Sequence, residues 1–343
     1  MKRNSFFGML SAVAVVFTSC NDFDGAQMRT IVNNDGSCTR EVSYSQRKSQ
    51  PQGLSFGSQW QSRTEVGQND SALTVYSREF SSVEELSTDM PLLYDGEPLK
   101  AQSSLEKRFR WFYTEYVFSE RFACLDGVFK LPPTDYADSD EVGYWFTGQP
   151  NIVQGLNGAE ASMKIASLDH KFDRWISDNL ILTCIEYIES HYDSIDNPPV
   201  GRAEFAQLRD SLAQFCHVKC EEWSDMVVQP TDLLREFFHS DAYAFFFDEK
   251  SPCAQELNSV CKKQMRLLDM AMPYSLVMPG EVTDAGTGTY TGTEVQYALT
   301  GDRLIPADYC IGATSRVTNV WAYVVTVLVI LFPILAKFFG RYK

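Results

Sequence analysis

The sequence predicts an α+β fold: an antiparallel sheet formed from both ends of the exported chain, a helical insertion between them, and a C-terminal transmembrane helix. Three observations predict it. β-prone runs fill the first third of the 343-residue chain and return before its end, whereas Asp138–Ala271 carries helical spacing. The run Val320–Ala336 holds no charge. Met1–Cys20 opens on Lys2 and Arg3, followed by an apolar stretch, Phe6–Phe17, that is too short for a comfortable membrane span and has the form of an export signal.

Gln27–Asn33 and Ser37–Ser45 are strand-like and are separated by Asn34-Asp35-Gly36, a strong hairpin signal. Ser45–Gln61 is rich in Gln and Ser and reads as loop. Leu73–Phe80 alternates and is rich in β formers. Ser82-Val83-Glu84-Glu85 fits a capping box, so a short helix starts there, and Pro91, Gly96 and Pro98 then force loop. Leu105–Phe122 carries the strongest strand pattern. Arg108, Arg110, Phe112, Thr114, Tyr116 and Phe118 alternate with Phe109, Trp111, Tyr113, Glu115 and Val117. Rings on both faces suit either a central strand covered on both sides or a long hairpin.

From Ala159 to Tyr192, Ile165, Leu168, Phe172, Trp175 and Ile176 make a helical stripe that Pro198-Pro199 ends. Arg202–Cys220 is a second amphipathic helix, and Pro230–His239 and Pro252–Met270 are two more, each with Pro in its first turn. Strands return at Tyr274–Met278, Glu281–Thr283, Val295–Leu299 and Asp308–Ser315. The predicted organisation is therefore a signal peptide over 1–19, a tether over 20–26, and a discontinuous β-rich domain over 27–137 and 272–316. A helical insertion occupies 138–271, a transmembrane helix 317–339 and a tail 340–343.

Seventeen uncharged residues at 1.5 Å each span about 26 Å, enough for a thin hydrocarbon core. Trp321 and Tyr323 suit one interface. Lys337, Arg341 and Lys343 suit the cytoplasmic side, with Pro333 as a kink. Of the 30 Lys+Arg, five lie in the two terminal segments; the 25 that remain face 45 Asp+Glu, a balance of −20. Such a surface repels nucleic acid and anionic headgroups, so no nucleic-acid partner is expected. Besides Cys20 there are Cys38, Cys124, Cys184, Cys216, Cys220, Cys253, Cys261 and Cys310. An even number permits disulfides in an oxidising compartment and equally fits buried free thiols; the pairing is not readable.

Reactive patterns fail in their contexts. Gly53-Leu54-Ser55-Phe56-Gly57 matches G-x-S-x-G, but Arg47–Gln52 before it is not a hydrophobic strand. Cys216-His217-Val218-Lys219-Cys220 offers three metal ligands without a fourth, so core thiols are the better reading. Asp138-Ser139-Asp140 with Gly143 imitates a calcium loop, but Val142 and Gln149 stand where ligands belong, which leaves a solvated acidic loop. His170, His191, His217 and His239 are scattered, and Gly286–Gly292 lacks the Lys-Ser/Thr of a phosphate loop. No metal, cofactor or catalytic residue is expected, and the chain is expected not to be an enzyme. The rival is an envelope hydrolase using carboxylates such as Glu115, Glu120 or Asp126.

Phe17-Thr18-Ser19-Cys20 resembles the lipobox of bacterial lipoproteins. The resemblance implies cleavage before Cys20 and its lipidation. Near the C-terminus come Pro279-Gly280-Glu281-Val282, a Gly/Thr-rich turn, Glu294–Leu299 and Ala313-Thr314-Ser315-Arg316. With the early Asp35–Ser37 hairpin, this order resembles the membrane-anchored bacterial lipoproteins with an LppM-like domain. The likeness covers the N-terminal hairpin, the C-terminal strands and the spanning helix, and the helical block departs from it. It implies a curved sheet with a groove for lipid or glycolipid, and no enzyme. Phe109, Trp111, Phe112, Tyr113 and Tyr116 are the candidate groove aromatics; the same rings equally fit packing between sheet and helical block. The expected role is a membrane-tethered extracytoplasmic lipoprotein that binds or scaffolds in the cell envelope. Its expected location is the cytoplasmic (inner) membrane, with the bulk periplasmic and the C-terminus cytoplasmic. The alternative is a scaffold for an envelope protein partner docked on the helical block.

Overall fold

The structure is a computed structural model that describes residues 23, 25–46, 49–66, 72–219, 230–248 and 250–339, with backbone alone for 334–339. It divides into two compact units. The helical unit comprises Cys124–Met270 and Gly301–Pro306. The strand unit comprises Asp22–Ala123, Ala271–Thr300 and Ala307–Lys343.

Within the strand unit the described strands are β1 (Gln27–Val32), β2 (Cys38–Ser45), β3 (Gln61–Val66), β4 (Ala72–Phe80), β5 (Leu93–Tyr94), β6 (Glu97–Pro98), β7 (Ala101–Phe109) and β8 (Tyr113–Phe122). After the helical unit come β9 (Ala271–Val277), β10 (Glu281–Asp284), β11 (Thr289–Tyr290), β12 (Val295–Thr300) and β13 (Tyr309–Thr318). Seven form one sheet in the order β11-β12-β9-β1-β2-β4-β3, and four form a second, β10-β13-β8-β7. β5 and β6 pair alone.

Local chemistry explains the first hairpin. Between β1 and β2, the Asp35 carboxylate accepts from the Ser37 amide at 2.9 Å and the Ser37 hydroxyl at 2.7 Å, and Gly36 takes φ +100°, a region open to glycine. Alternation then sets the inner faces. Val42 of β2, Met28 of β1, Leu276 of β9, Leu299 of β12, Phe118 and Phe122 of β8 and Ile311 of β13 are all buried.

Three expectations are corrected here. The strands do not make one antiparallel sheet. They divide between two main sheets, and β1 runs parallel to β9, with Met28 opposite Tyr274 and Ile31 opposite Val277. A parallel pair needs a long crossover, and the chain between these two strands supplies it. A short helix does start after Ser82, the 3-10 helix Val83–Thr88, but the capping box is not made: the Ser82 side chain forms no cap bond.

The spanning helix is the third correction. A helix does form over Val320–Phe339, but among the described residues no helix is long and apolar enough to cross a membrane. Pro333 lies inside it and lacks the amide that the helical ladder needs. The inner-membrane location and the cytoplasmic C-terminus rested on that span and fall with it.

The helical unit holds α1 (Ser139–Thr147), α2 (Gly158–Ser190), α3 (Arg202–Lys219), α4 (Pro230–Phe238) and α5 (Pro252–Asp269); α6 (Val320–Phe339) belongs to the strand unit. Asp138 is not part of a solvated loop. It caps α1, accepting from the Glu141 amide at 2.9 Å while Glu141 accepts from the Asp138 amide at 3.2 Å. Asn157 and Glu160 make the same reciprocal cap for α2. The 33-residue α2 serves two cores. Trp175 and Ile176 pack with Val142, Phe146, Met265 and Leu268, and Ile185 and Ile188 with Phe205, Leu212, Tyr243 and Phe246.

Candidate functional site

The run Leu105–Phe122 is a hairpin rather than one strand. β7 and β8 turn through Arg110-Trp111-Phe112, closed by the Arg110 amide donating to the Tyr113 carbonyl at 2.8 Å. β8 pairs with β13, and β13 runs straight into α6. Asn319, the residue between them, ties the hairpin tip to the start of the helix. Its amide donates to the Phe112 carbonyl at 2.9 Å, its Nδ2 donates to the Arg110 carbonyl at 2.8 Å, and its Oδ1 accepts from Thr114 Oγ1 at 3.1 Å. Trp111 Nε1 donates to Thr326 Oγ1 at 2.8 Å, about two turns further along the helix.

This clamp gathers rings on the outside of the unit. Phe109 stacks on Trp321 at 6.3 Å between centroids, Trp111 meets the same indole edge-on at 5.4 Å, and Phe112 meets Tyr323 at 4.7 Å. They remain open to solvent: Phe109 is 59 % exposed, Trp111 46 % and Phe112 39 %. From Val320 to Phe332 the helix continues the same surface without a charge. Of the other two candidate aromatics, Tyr113 is half-buried, and Tyr116 is buried with its hydroxyl donating to the Asn34 carbonyl at 2.9 Å. Cys20 lies outside the described residues.

A second constellation is interior. Arg40 of β2 and Glu120 of β8 are fully buried on opposing sheets, with Arg40 Nη2 at 2.8 and 2.7 Å from the two carboxylate oxygens. Tyr274 of β9 donates to Glu120 Oε2 at 2.8 Å, the Thr30 hydroxyl donates to the Tyr274 oxygen at 2.8 Å, and Ser103 of β7 donates to Glu120 Oε1 at 3.3 Å. Burial works against the charge on Arg40, and the Glu120 carboxylate outweighs it, so the guanidinium holds its proton more tightly than usual. Arg40 Nη1 is buried without a hydrogen-bond partner.

A third lies in the helical unit. His217 Nδ1 sits 2.8 and 3.0 Å from the two oxygens of Asp178, and the Tyr136 hydroxyl donates to Asp178 Oδ2 at 2.7 Å. Sequence reasoning missed this trio, because its members come from three separate elements and no local spacing marks them. Also on α2, burial is the main cause that raises the Asp173 pKa to about 6; the Asp169 carboxylate adds to it and His170 opposes it.

The hydrolase carboxylates do not come together. Glu115 pairs with Arg316 at 3.0 Å, Glu120 is spent on Arg40, and Asp126 lies in the helical unit, accepting from Cys124 Sγ at 3.1 Å. Cys216 is buried in the helical core while His217 binds Asp178. Among the described residues no cluster of three His, Cys, Asp or Glu is placed to hold a metal. The hollow lined by Tyr136, Trp145, Phe172 and Trp175 has a volume of about 10 Å³, room for about one water.

No protein-family model matches this chain, and comparison with curated proteins and with solved structures likewise returns no match. The resemblance to LppM-like lipoproteins is therefore not sustained. The lipid-binding envelope role that it implied loses its support, together with the membrane tether and the envelope partner.

Proposed function

We propose that this chain is a non-catalytic association protein whose docking surface is the aromatic hairpin tip together with α6, and that its occupant is the same surface of a second copy. The observation that carries the reading is the size and rigidity of that surface. Phe109, Trp111 and Phe112, with eleven large apolar residues between Val320 and Phe332, leave on the order of 1,000 Å² of apolar area in water. That exceeds the largest patch of an ordinary monomer, about 300–600 Å², and matches the roughly 800 Å² that each partner gives to a standard interface. A second copy is favoured because the chain is strongly acidic, with a net charge of −15, while α6 is uncharged from Val320 to Phe332. Two copies meet there without bringing like charges together, and a uniformly apolar surface is its own complement.

Sedimentation equilibrium of the full chain at micromolar concentration tests this reading. A dimer that Leu328→Asp converts to a monomer with an unchanged circular dichroism spectrum is the expected result. A wild-type monomer overturns it. So does a Leu328→Asp variant that still dimerises, or a wild-type chain that leaves solution for phosphatidylcholine vesicles instead of pairing.

A further inference from the structure

Helices α2 and α5 lie antiparallel and are tied at two levels. The Tyr187 hydroxyl donates to Glu256 Oε2 at 2.9 Å, and Gln264 Nε2 donates to Thr183 Oγ1 at 3.0 Å. Moving one way along α2 moves the opposite way along α5, so the level between these ties belongs to Cys184 and Cys261. Both thiols pack against the same hydrophobic core, both are half-buried, and they are hydrogen-bonded to each other. We propose that Cys184 and Cys261 are a redox-active dithiol that closes to a disulfide between α2 and α5 on reaction with a low-molecular-weight disulfide.

The chemistry balances as thiol–disulfide exchange. Cys261 loses its proton to solvent and its sulfur attacks one sulfur of the disulfide. The S–S bond breaks, and the leaving thiolate takes the electron pair and a proton. Cys184 then loses its proton and attacks Cys261 Sγ, releasing the second thiol. Two protein thiols are oxidised and one disulfide is reduced to two thiols. The order follows from the hydrogen bond: the Cys184 thiol donates to the Cys261 sulfur, which lowers the Cys261 pKa and makes it the better nucleophile. The same bond, with burial, raises the Cys184 pKa, leaving it the resolving partner. Cys216 is charge-coupled to Cys184 but belongs to α3 and is buried, so it is the internal control.

The test treats the full chain with oxidised glutathione at pH 8, caps remaining thiols with N-ethylmaleimide, and maps the peptides by mass spectrometry. The expected product is a Cys184–Cys261 cross-linked peptide, with a mass loss of about 2 Da for the pair of hydrogens removed. Dithiothreitol reverses it, and the oxidised chain melts at a higher temperature than the reduced one. Cys184→Ser leaves a glutathione adduct trapped on Cys261, and Cys261→Ser leaves Cys184 capped by maleimide. Recovery of both wild-type thiols as maleimide adducts, or a dominant cross-link through Cys216 or Cys253, overturns the proposal. The wild-type map decides the matter even if a serine variant fails to fold.

Discussion

The strand unit and the helical unit each hold a carboxylate at a structural junction, and they handle it in opposite ways. Glu120 is sealed between two sheets, met by Arg40, Tyr274 and Ser103, with no path to solvent. Glu141 sits at the first turn of α1, paired with Lys164 at 2.5 Å and Lys171 at 2.6 Å, and both lysines are more than a third exposed. The first arrangement takes two charges out of water and depends on geometry to offset that cost. The second leaves its cations hydrated, gains less per contact and loses less when broken. Contact distance alone does not separate the two; burial does.

Removing one partner of the sealed pair is the largest expected effect. Glu120→Ala strands a buried guanidinium and is expected to cost about 3–5 kcal/mol in urea unfolding of the strand unit. The double change Arg40→Met with Glu120→Leu removes both charges, and recovery of most of that loss is the expected outcome. A double variant as unstable as the single one breaks the comparison, because the pair is then stabilising in itself. Next comes Glu141→Ala, expected to cost about 1–2 kcal/mol through two ion pairs and half of a capping box. A loss as large as that of Glu120→Ala contradicts the distinction drawn from burial.

The pH dependence of the helical unit sharpens the same contrast. Hydrogen bonds from Lys164 and Lys171 lower the Glu141 pKa from 4.5 to about 2. Its contribution is therefore complete above 4.5 and disappears as pH falls through about 2. Asp173 has the opposite sign. Burial raises its pKa from 3.8 to about 6, so the native state binds the proton more tightly, and stability falls as pH rises from about 4 to about 6. Asp173→Asn is the smallest expected effect: a gain of about 1 kcal/mol at pH 7 after solvent screening, and a flatter profile between pH 4 and 6. Thermal melts at half-unit pH steps check both signs. An unchanged slope in Asp173→Asn assigns the titration elsewhere.

The parts of the fold legible in the sequence were those written locally. Asp35-Gly36 named its hairpin because a tight turn needs a positive φ and a short acceptor at fixed offsets. The stripe from Leu168 to Ile176 named α2 because burial repeats with the helical period. β3 escaped because all six of its residues are exposed, so no alternation marks them. The parallel partnership of β1 and β9 escaped because nothing in either strand encodes a partner far away in sequence. The turn at Arg110-Trp111-Phe112 was ambiguous for want of Gly, Asn or Pro, and the strand pattern ran through it unbroken. Asp138 and Glu141 were legible as acidic residues and misread in role, because a capping box and the opening of a calcium loop use the same short side chains. The Asp178–His217 contact had no sequence signal at all, since it forms only when α2 and α3 pack.

Asn319 has a mechanical consequence. It rivets the first turn of α6 to the hairpin tip, and α6 is the direct continuation of β13, which pairs with β8 from Tyr309–Phe122 to Thr318–Tyr113. Tension applied along the helix therefore reaches the sheet lengthwise. The rungs of the β8–β13 ladder are loaded together in shear instead of opening one after another like a zip. Asn319→Ala removes the side-chain bonds to Arg110 and Thr114 while those rungs stay intact, so bending stiffness at the root of the helix falls and the load carried by the ladder does not.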